Sequence, residues 1–199
     1  VFIVGSPRSG TSLLRLMLTT HSGVVIPPES GFIVWLHQKY GNWSLDSSAD
    51  KVSCNQFLDD LFACKKFDTW ELERSALETS LLEQRPEDYA ELCATIYQAF
   101  AIKQEKRPLI WGDKNNFHIS YLPLLRAIYP QARFLRIVRD GRDVACSYRE
   151  VMQLASSSPY FPRLATSIDE IALEWSANVL KAESDLSGLP ASQHFLIRY

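Results

Sequence analysis

Patterned cysteine, excess charge and long apolar runs are all lacking in this chain, and each absence removes a class of function. The four cysteines, Cys54, Cys64, Cys93 and Cys146, include no C-x-x-C pair. That spacing argues against a redox motif or a zinc site, and a chain of 199 residues is long for a disulfide scaffold. They read as small, partly buried hydrophobes, with room for one disulfide. No apolar run approaches the length of a membrane span. A net charge of −2 gives no electrostatic argument for nucleic acid or an anionic membrane as partner, so any anion site has to be built from local arginines and backbone. Internal repeats and low-complexity segments are absent as well. The length fits one domain with a substantial core, spanning residues 1–199. The chain starts without methionine on one strand and stops on another, so it reads as a piece truncated at both ends, with an upstream signal or anchor left open.

What is present is concentrated first in Val1-Phe2-Ile3-Val4-Gly5-Ser6-Pro7-Arg8-Ser9-Gly10-Thr11-Ser12-Leu13-Leu14-Arg15. Four apolar residues predict a buried strand. A loop with two glycines follows, then an apolar-periodic helix capped by Thr11 or Ser12. Free N–H groups at a helix start, the positive end of its dipole and glycines that permit close approach make an anion site. Gly5 and Gly10 have the spacing of the nucleotide P-loop, G-x-x-x-x-G-K-[ST], but Thr11 stands at the lysine position. The loop's cation is Arg8.

Further along, Val24-Val25-Ile26 predicts a second strand, stopped by Pro27-Pro28 and followed at once by Glu29. Residues 32–40 read as helical, 41–50 as a polar break and 51–83 as helices. A stronger helix is expected from Pro86, with Tyr89, Leu92, Cys93, Ile96, Tyr97 and Phe100 on one apolar face. Leu109-Ile110-Trp111 predicts a strand running into Gly112-Asp113-Lys114, and a helix covers 121–128. Residues 133–138 form a strand that enters Arg139-Asp140-Gly141-Arg142-Asp143. Helices over 143–153 and 169–185, separated by a break at Ser156-Ser157-Ser158-Pro159, lead to a last strand at 195–199. Alternating strands and helices imply an α/β, P-loop-type three-layer fold, with a mostly parallel sheet and helices on both faces. Ligands in such folds sit beyond the carboxyl ends of the strands. The Gly5–Ser12 loop, Glu29, Lys114 and Arg139 all fall there and are expected to share one cleft.

Arg139 leaves a strand end, and Ser147 lies one to two turns into the next helix, so the pair can grip a second phosphate. Taken alone, Arg-Asp-Gly-Arg-Asp is equally a salt-bridged turn. Two anion grips on one sheet suggest phosphates at separate positions. A magnesium-dependent P-loop phosphotransferase or kinase is the competing reading. It is disfavoured because the loop lysine is missing and Arg139, where an acid is expected, follows the strand.

The two motifs together resemble the sulfotransferase family that uses 3′-phosphoadenosine 5′-phosphosulfate (PAPS), over nearly the whole chain, and most closely its bacterial and tyrosylprotein branch. The resemblance implies that Arg8, Ser9, Gly10, Thr11 and Ser12 hold the 5′-phosphosulfate and that Arg139 and Ser147 hold the 3′-phosphate. It implies transfer of a sulfonate to a hydroxyl or amine acceptor, without a metal, leaving adenosine 3′,5′-bisphosphate. Arg8 supplies positive charge, and Lys114 matches the strand-end lysine that contacts the bridging oxygen or sulfonate. Two residues compete as general base. Glu29 stands where the tyrosylprotein and heparan-type enzymes place a glutamate, and is preferred; His118 answers to the histidine of the small-molecule enzymes, at altered spacing. Burial would raise the Glu29 pKa, and nearby arginines would lower it. His21, His37 and His194 show no partner pattern. The acceptor is expected to be a small molecule, carbohydrate or peptide, bound by residues 32–67 and 154–166, with no nucleic acid, and a homodimer is allowed. A cytoplasmic setting is expected, or the Golgi lumen if an anchor precedes Val1. A third reading is a catalytically inactive nucleotide-binding fragment.

Overall fold

Every strand pairing is parallel in the computed structural model, which describes residues 1–154 and 157–199. The strand β1 (Phe2–Val4) is central. Two β2 residues, Val24–Val25, pair with β3 (Ile110–Trp111), while β1 pairs with β4 (Asp113–Lys114) on one side and β5 (Phe134–Val138) on the other. The last strand, β6 (His194–Arg198), lies outside β5. The single expected strand at 109–111 is thus the first half of a run that changes partner at Gly112. The Gly112 amide donates to Val25 and the next amide, of Asp113, donates to Val1, each at 2.9 Å. Only a residue without a side chain allows this: a Cβ on Gly112 would sit 2.7 Å from the Val1 carbonyl.

Successive residues of a strand point to opposite faces, and β5 shows what covers each. Arg136 reaches Glu183 of α10 (Ile168–Leu186). Ile137 faces the other way, beneath Gly5 and Gly10 at the start of α1 (Thr11–Thr19). Helices therefore flank both faces, as the alternating sequence pattern implies. Between β2 and β3 the chain runs through α2 (Phe32–Trp35), α3 (His37–Tyr40), α4 (Leu45–Ala49), α5 (Lys51–Ala63), α6 (Arg74–Gln84) and α7 (Tyr89–Lys103). Then α8 (Leu122–Ile128) precedes β5, and α9 (Gly141–Met152) follows it. The core of the long insertion is aromatic. Phe32, Phe67, Trp70 and Tyr97 pack edge-on or tilted, and Tyr97 stacks on Trp111 at 4.3 Å between centroids.

Several element boundaries differ from the sequence reading. The polar break at 41–50 contains α4, because the Ser44 hydroxyl caps it by accepting from the Ser47 amide. The helix expected from Pro86 starts at Tyr89, where the Asp88 carboxylate accepts from the Glu91 amide at 2.8 Å. α10 starts at Ile168, held by a reciprocal box between Ser167 and Glu170. α1 has Gly10 as its N-cap and no side-chain cap, contrary to the expectation for Thr11 or Ser12. The four cysteines are free thiols. Ser156 of the expected break lies outside the described residues. No helix among the described residues is long and apolar enough to cross a membrane.

Gly112→Ala should lower the unfolding free energy by about 1–3 kcal/mol, because its methyl would meet backbone rather than a movable side chain. Denaturant unfolding monitored by circular dichroism reads the change directly.

Candidate active site

The loop after β1 is shaped by two left-handed residues, Arg8 at φ 64° and Gly10 at φ 90°. A Cβ on Gly10 would lie 2.7 Å from the Tyr199 ring, and one on Gly5 would lie 2.7 Å from the Ile137 carbonyl, so both positions also need glycine for space. The turn buries the Ser6 and Ser9 hydroxyls, and neither has a hydrogen-bond partner among the described residues. The first amides of α1 have no acceptor within the helix. The hydroxyls that could have capped them are engaged elsewhere: Thr11 Oγ1 donates to Asn116 Oδ1 at 3.1 Å, and Ser12 Oγ accepts from Lys114 Nζ at 2.9 Å. Buried, unpaired donors around a helix start suit a tetrahedral anion.

The second expected grip adjoins the first. Arg8 Nε donates to Ser147 Oγ at 3.1 Å, which leaves the serine's own proton free to donate. Arg139 leaves β5, donates from Nη1 to the Arg8 carbonyl at 3.2 Å, and lies over the Tyr199 ring at 4.9 Å from its centroid. Its carbonyl is held by the Trp175 indole at 3.1 Å, whereas its Nε has no hydrogen-bond partner among the described residues. The salt-bridged turn that the motif also allowed is made by Arg142 with Asp140, whose carboxyl it holds down at about 2. Arg139 takes part in it only through Nε, which lies 4.0 Å from Asp143 Oδ2.

Glu29 and Lys114 form the centre between loop and sheet. The Lys114 ammonium, with its side chain only 3% exposed, binds Glu29 Oε1 and the Ser12 hydroxyl. Lys66 holds the other oxygen, Oε2, at 2.5 Å. Burial pushes the Glu29 carboxyl up, but Lys114 and Lys66 outweigh it and leave the carboxyl below its usual range. The opposing pull thus comes chiefly from lysines, where the sequence reading expected arginines. Burial also lowers Lys114 and Arg15, and Glu29 pulls both back up.

His118 does not join this centre. It is 0% exposed, packed edge-on against Phe2 and Phe117, and burial pushes its imidazole down to about 3. Its Nε2 lies 3.4 Å from Asp113 Oδ2, and burial raises that carboxyl to about 7. Loop, Arg139, Ser147, Glu29 and Lys114 come together at the strand ends, while His118 lies behind them in the core. Sequence reasoning gave no role to Lys66, Arg15 or Asn116. Arg15 had a readable signal, since it stands one helical turn past Thr11 in the opening motif; Lys66 had none.

Asp113 gives a pH dependence that can be isolated. The native state keeps its proton from about pH 4 to 7, where the unfolded chain releases it, so the stability carried by the protonated form is complete below pH 4 and lost as pH rises through 7. Asp113→Asn removes this loss and leaves His118 common to both proteins. Between pH 4 and 7 the difference in Tm should therefore move steadily in favour of the variant, then stay level above pH 7, as differential scanning fluorimetry across buffers can show.

The sequence profile described as the sulfotransferase family matches residues 1–199. Human protein-tyrosine sulfotransferase 1 is 31% identical over 142 residues, 71% of this chain and 31% of its own length. The zebrafish (Danio rerio) protein of the same name is 30% identical over 142 residues, 71% of this chain and 33% of its own. The match thus spans about a third of these relatives. Among solved structures, the sulfotransferase domain from the curacin biosynthetic pathway aligns over all of this chain and 66% of its own, with a TM-score of 0.58 and 19% identity. A sulfotransferase from Mycobacterium avium aligns over all of this chain and 58% of its own, with a TM-score of 0.50 and 14% identity. These two likenesses concern the fold, and the profile match over every residue carries the assignment: the chain belongs to the sulfotransferase family.

Proposed function

We propose that this chain carries out sulfonate transfer from PAPS to a hydroxyl or amine, with Glu29 as general base. The observation that supports this most is the convergence of two anion grips on one ionised carboxylate, Glu29, held by a buried lysine. PAPS supplies a sulfonate activated by its anhydride link to phosphate. The unpaired Ser6 and Ser9 hydroxyls, the α1 amides and the guanidinium of Arg8 suit the phosphosulfate end. Arg139, whose Nε makes no hydrogen bond among the described residues, and Ser147, which accepts from Arg8 and keeps its own proton to donate, suit the 3′-phosphate.

Glu29 takes the acceptor's proton. It is ionised at neutral pH, and a weak base suffices if the oxygen becomes acidic only as it bonds to sulfur. Lys114 touches both the base and Ser12, and so can carry positive charge toward the oxygen that leaves the sulfonate. His118, neutral and enclosed, has no path to an acceptor in this reading. The protein-tyrosine sulfotransferases among the relatives make a tyrosine-containing peptide the first acceptor to try, beside a simple phenol and a monosaccharide.

Isothermal calorimetry should show binding of adenosine 3′,5′-bisphosphate by the folded protein, and absence of binding would remove the proposal. Arg139→Ala should weaken that ligand several-fold while leaving adenosine 5′-monophosphate nearly unchanged. With radiolabelled PAPS and the three acceptor probes, Glu29→Gln should lose about a hundredfold or more in turnover while keeping bisphosphate affinity. Turnover equal to wild type would exclude Glu29 as the base.

A further inference from the structure

Lys66 lies outside every motif in the chain, yet its ammonium is one of the two cations on Glu29. The residue stands between α5 and a 3₁₀ turn, Phe67–Trp70, with its backbone in the left-handed region at φ 66°. An ordinary side chain there costs roughly 1–2 kcal/mol, and glycine or asparagine would be easier. Such an outlier calls for a reason in what the side chain does. Neighbouring contacts fix the segment rigidly. Phe67 and Trp70 are each 1% exposed, the Trp70 indole donates to the Pro28 carbonyl at 2.9 Å, and the Lys66 carbonyl accepts from the Thr69 amide at 3.1 Å and hydroxyl at 2.6 Å. The insertion is thereby pinned to the residue before Glu29, and Lys66 is carried to the carboxylate on a firm base.

We propose that Lys66 is a positioning residue for Glu29: it holds Oε2 while Lys114 holds Oε1, so that the carboxylate meets the acceptor in one fixed orientation and charge state. This rests on the reading of Glu29 as general base. Each cation has a distinct neighbour. Lys114 ties Glu29 to the phosphate loop through Ser12, whereas Lys66 ties it to the insertion. The other titratable groups around Glu29 are Arg15 from α1, Asp113 from β4 and His118 from the turn after β4. All three keep their places when Lys66 is changed, so they cancel in comparison with wild type. Removing the Lys66 charge lets Glu29 bind its proton at higher pH, which shrinks the range in which the base is available.

The test uses Lys66→Asn, which suits the left-handed backbone, with Lys66→Met and Lys66→Arg beside it. Proteins labelled with ¹³C in the glutamate side chain are titrated by NMR, and the Glu29 carboxyl signal is identified by its loss in Glu29→Gln. The titration should move to higher pH in Lys66→Asn and Lys66→Met and stay with wild type in Lys66→Arg. The acid limb of kcat/KM, measured with whichever of the three acceptor probes takes sulfonate, should move by the same amount, with several-fold lower activity at the acid end and unchanged KM for PAPS. An unmoved carboxyl titration in a folded variant overturns the proposal, as does a moved titration with an unmoved acid limb. Failure of the underlying reading looks different: Glu29→Gln would then transfer sulfonate as fast as wild type, whatever the titration does.

Discussion

A lysine ammonium removed from water has to find an anion or lose its charge, and Lys114 is removed almost completely. Its partner, Glu29, comes from the segment four residues past β2, and the same ammonium also reaches Ser12 at the start of α1. One desolvated charge therefore ties together the segment after β2, β4 and the loop after β1. Breaking such a pair leaves an uncompensated buried charge, whereas keeping it adds little net stability. The pair is better understood as a constraint on geometry than as a source of stability. It keeps a carboxylate ionised at the edge of the proposed anion site, which would otherwise repel it.

The hydroxyls of the loop follow from the same arrangement. Thr11 and Ser12 are drawn to Asn116 and Lys114, away from the cap of their own helix. The amides at the start of α1 are then left for a ligand, at the cost of a capping interaction of about 1 kcal/mol. Arg8 contributes in another way. Its left-handed backbone turns its carbonyl to Arg139 and its guanidinium to Ser147, which joins the two halves of the site into a continuous surface. A chain with a net charge of −2 thus gathers Arg8, Arg15, Lys114 and Arg139 around one loop.

Much of this could be read in the sequence, because the features concerned are local. Strand, glycine turn and helix start lie within Val1–Arg15, and Arg139 and Ser147 are eight positions apart on one strand–helix unit. Glu29 was readable for the same reason, just past the two prolines that stop the Val24-Val25-Ile26 run. The misplaced helix starts were also legible, through Asp88-x-x-Glu91 and Ser167-x-x-Glu170, which are capping spacings. Lys66 and the enclosure of His118 were not. The first depends on an insertion packing its aromatics against residues 28–33, and the second on Phe2 and Phe117 closing over one imidazole. A lysine in a polar turn and a histidine near a strand end look alike in one dimension, and only burial separates them.

The placement of β1 affects how the chain can fold. The strand precedes both of its partners by a long stretch of chain: Phe2 pairs with Asp113 and with Phe134, both on the order of a hundred residues further along. Closing loops of that size must precede any gain from the pairing, which makes parallel sheets of this kind slow to form. While the insertion is still being synthesised, the apolar Phe2-Ile3-Val4 lacks both of the strands it pairs with, β4 and β5. The loop after β1 rests on Ile137 and acquires its shape only after β5 arrives, so on the proposed function donor binding is gained late in folding.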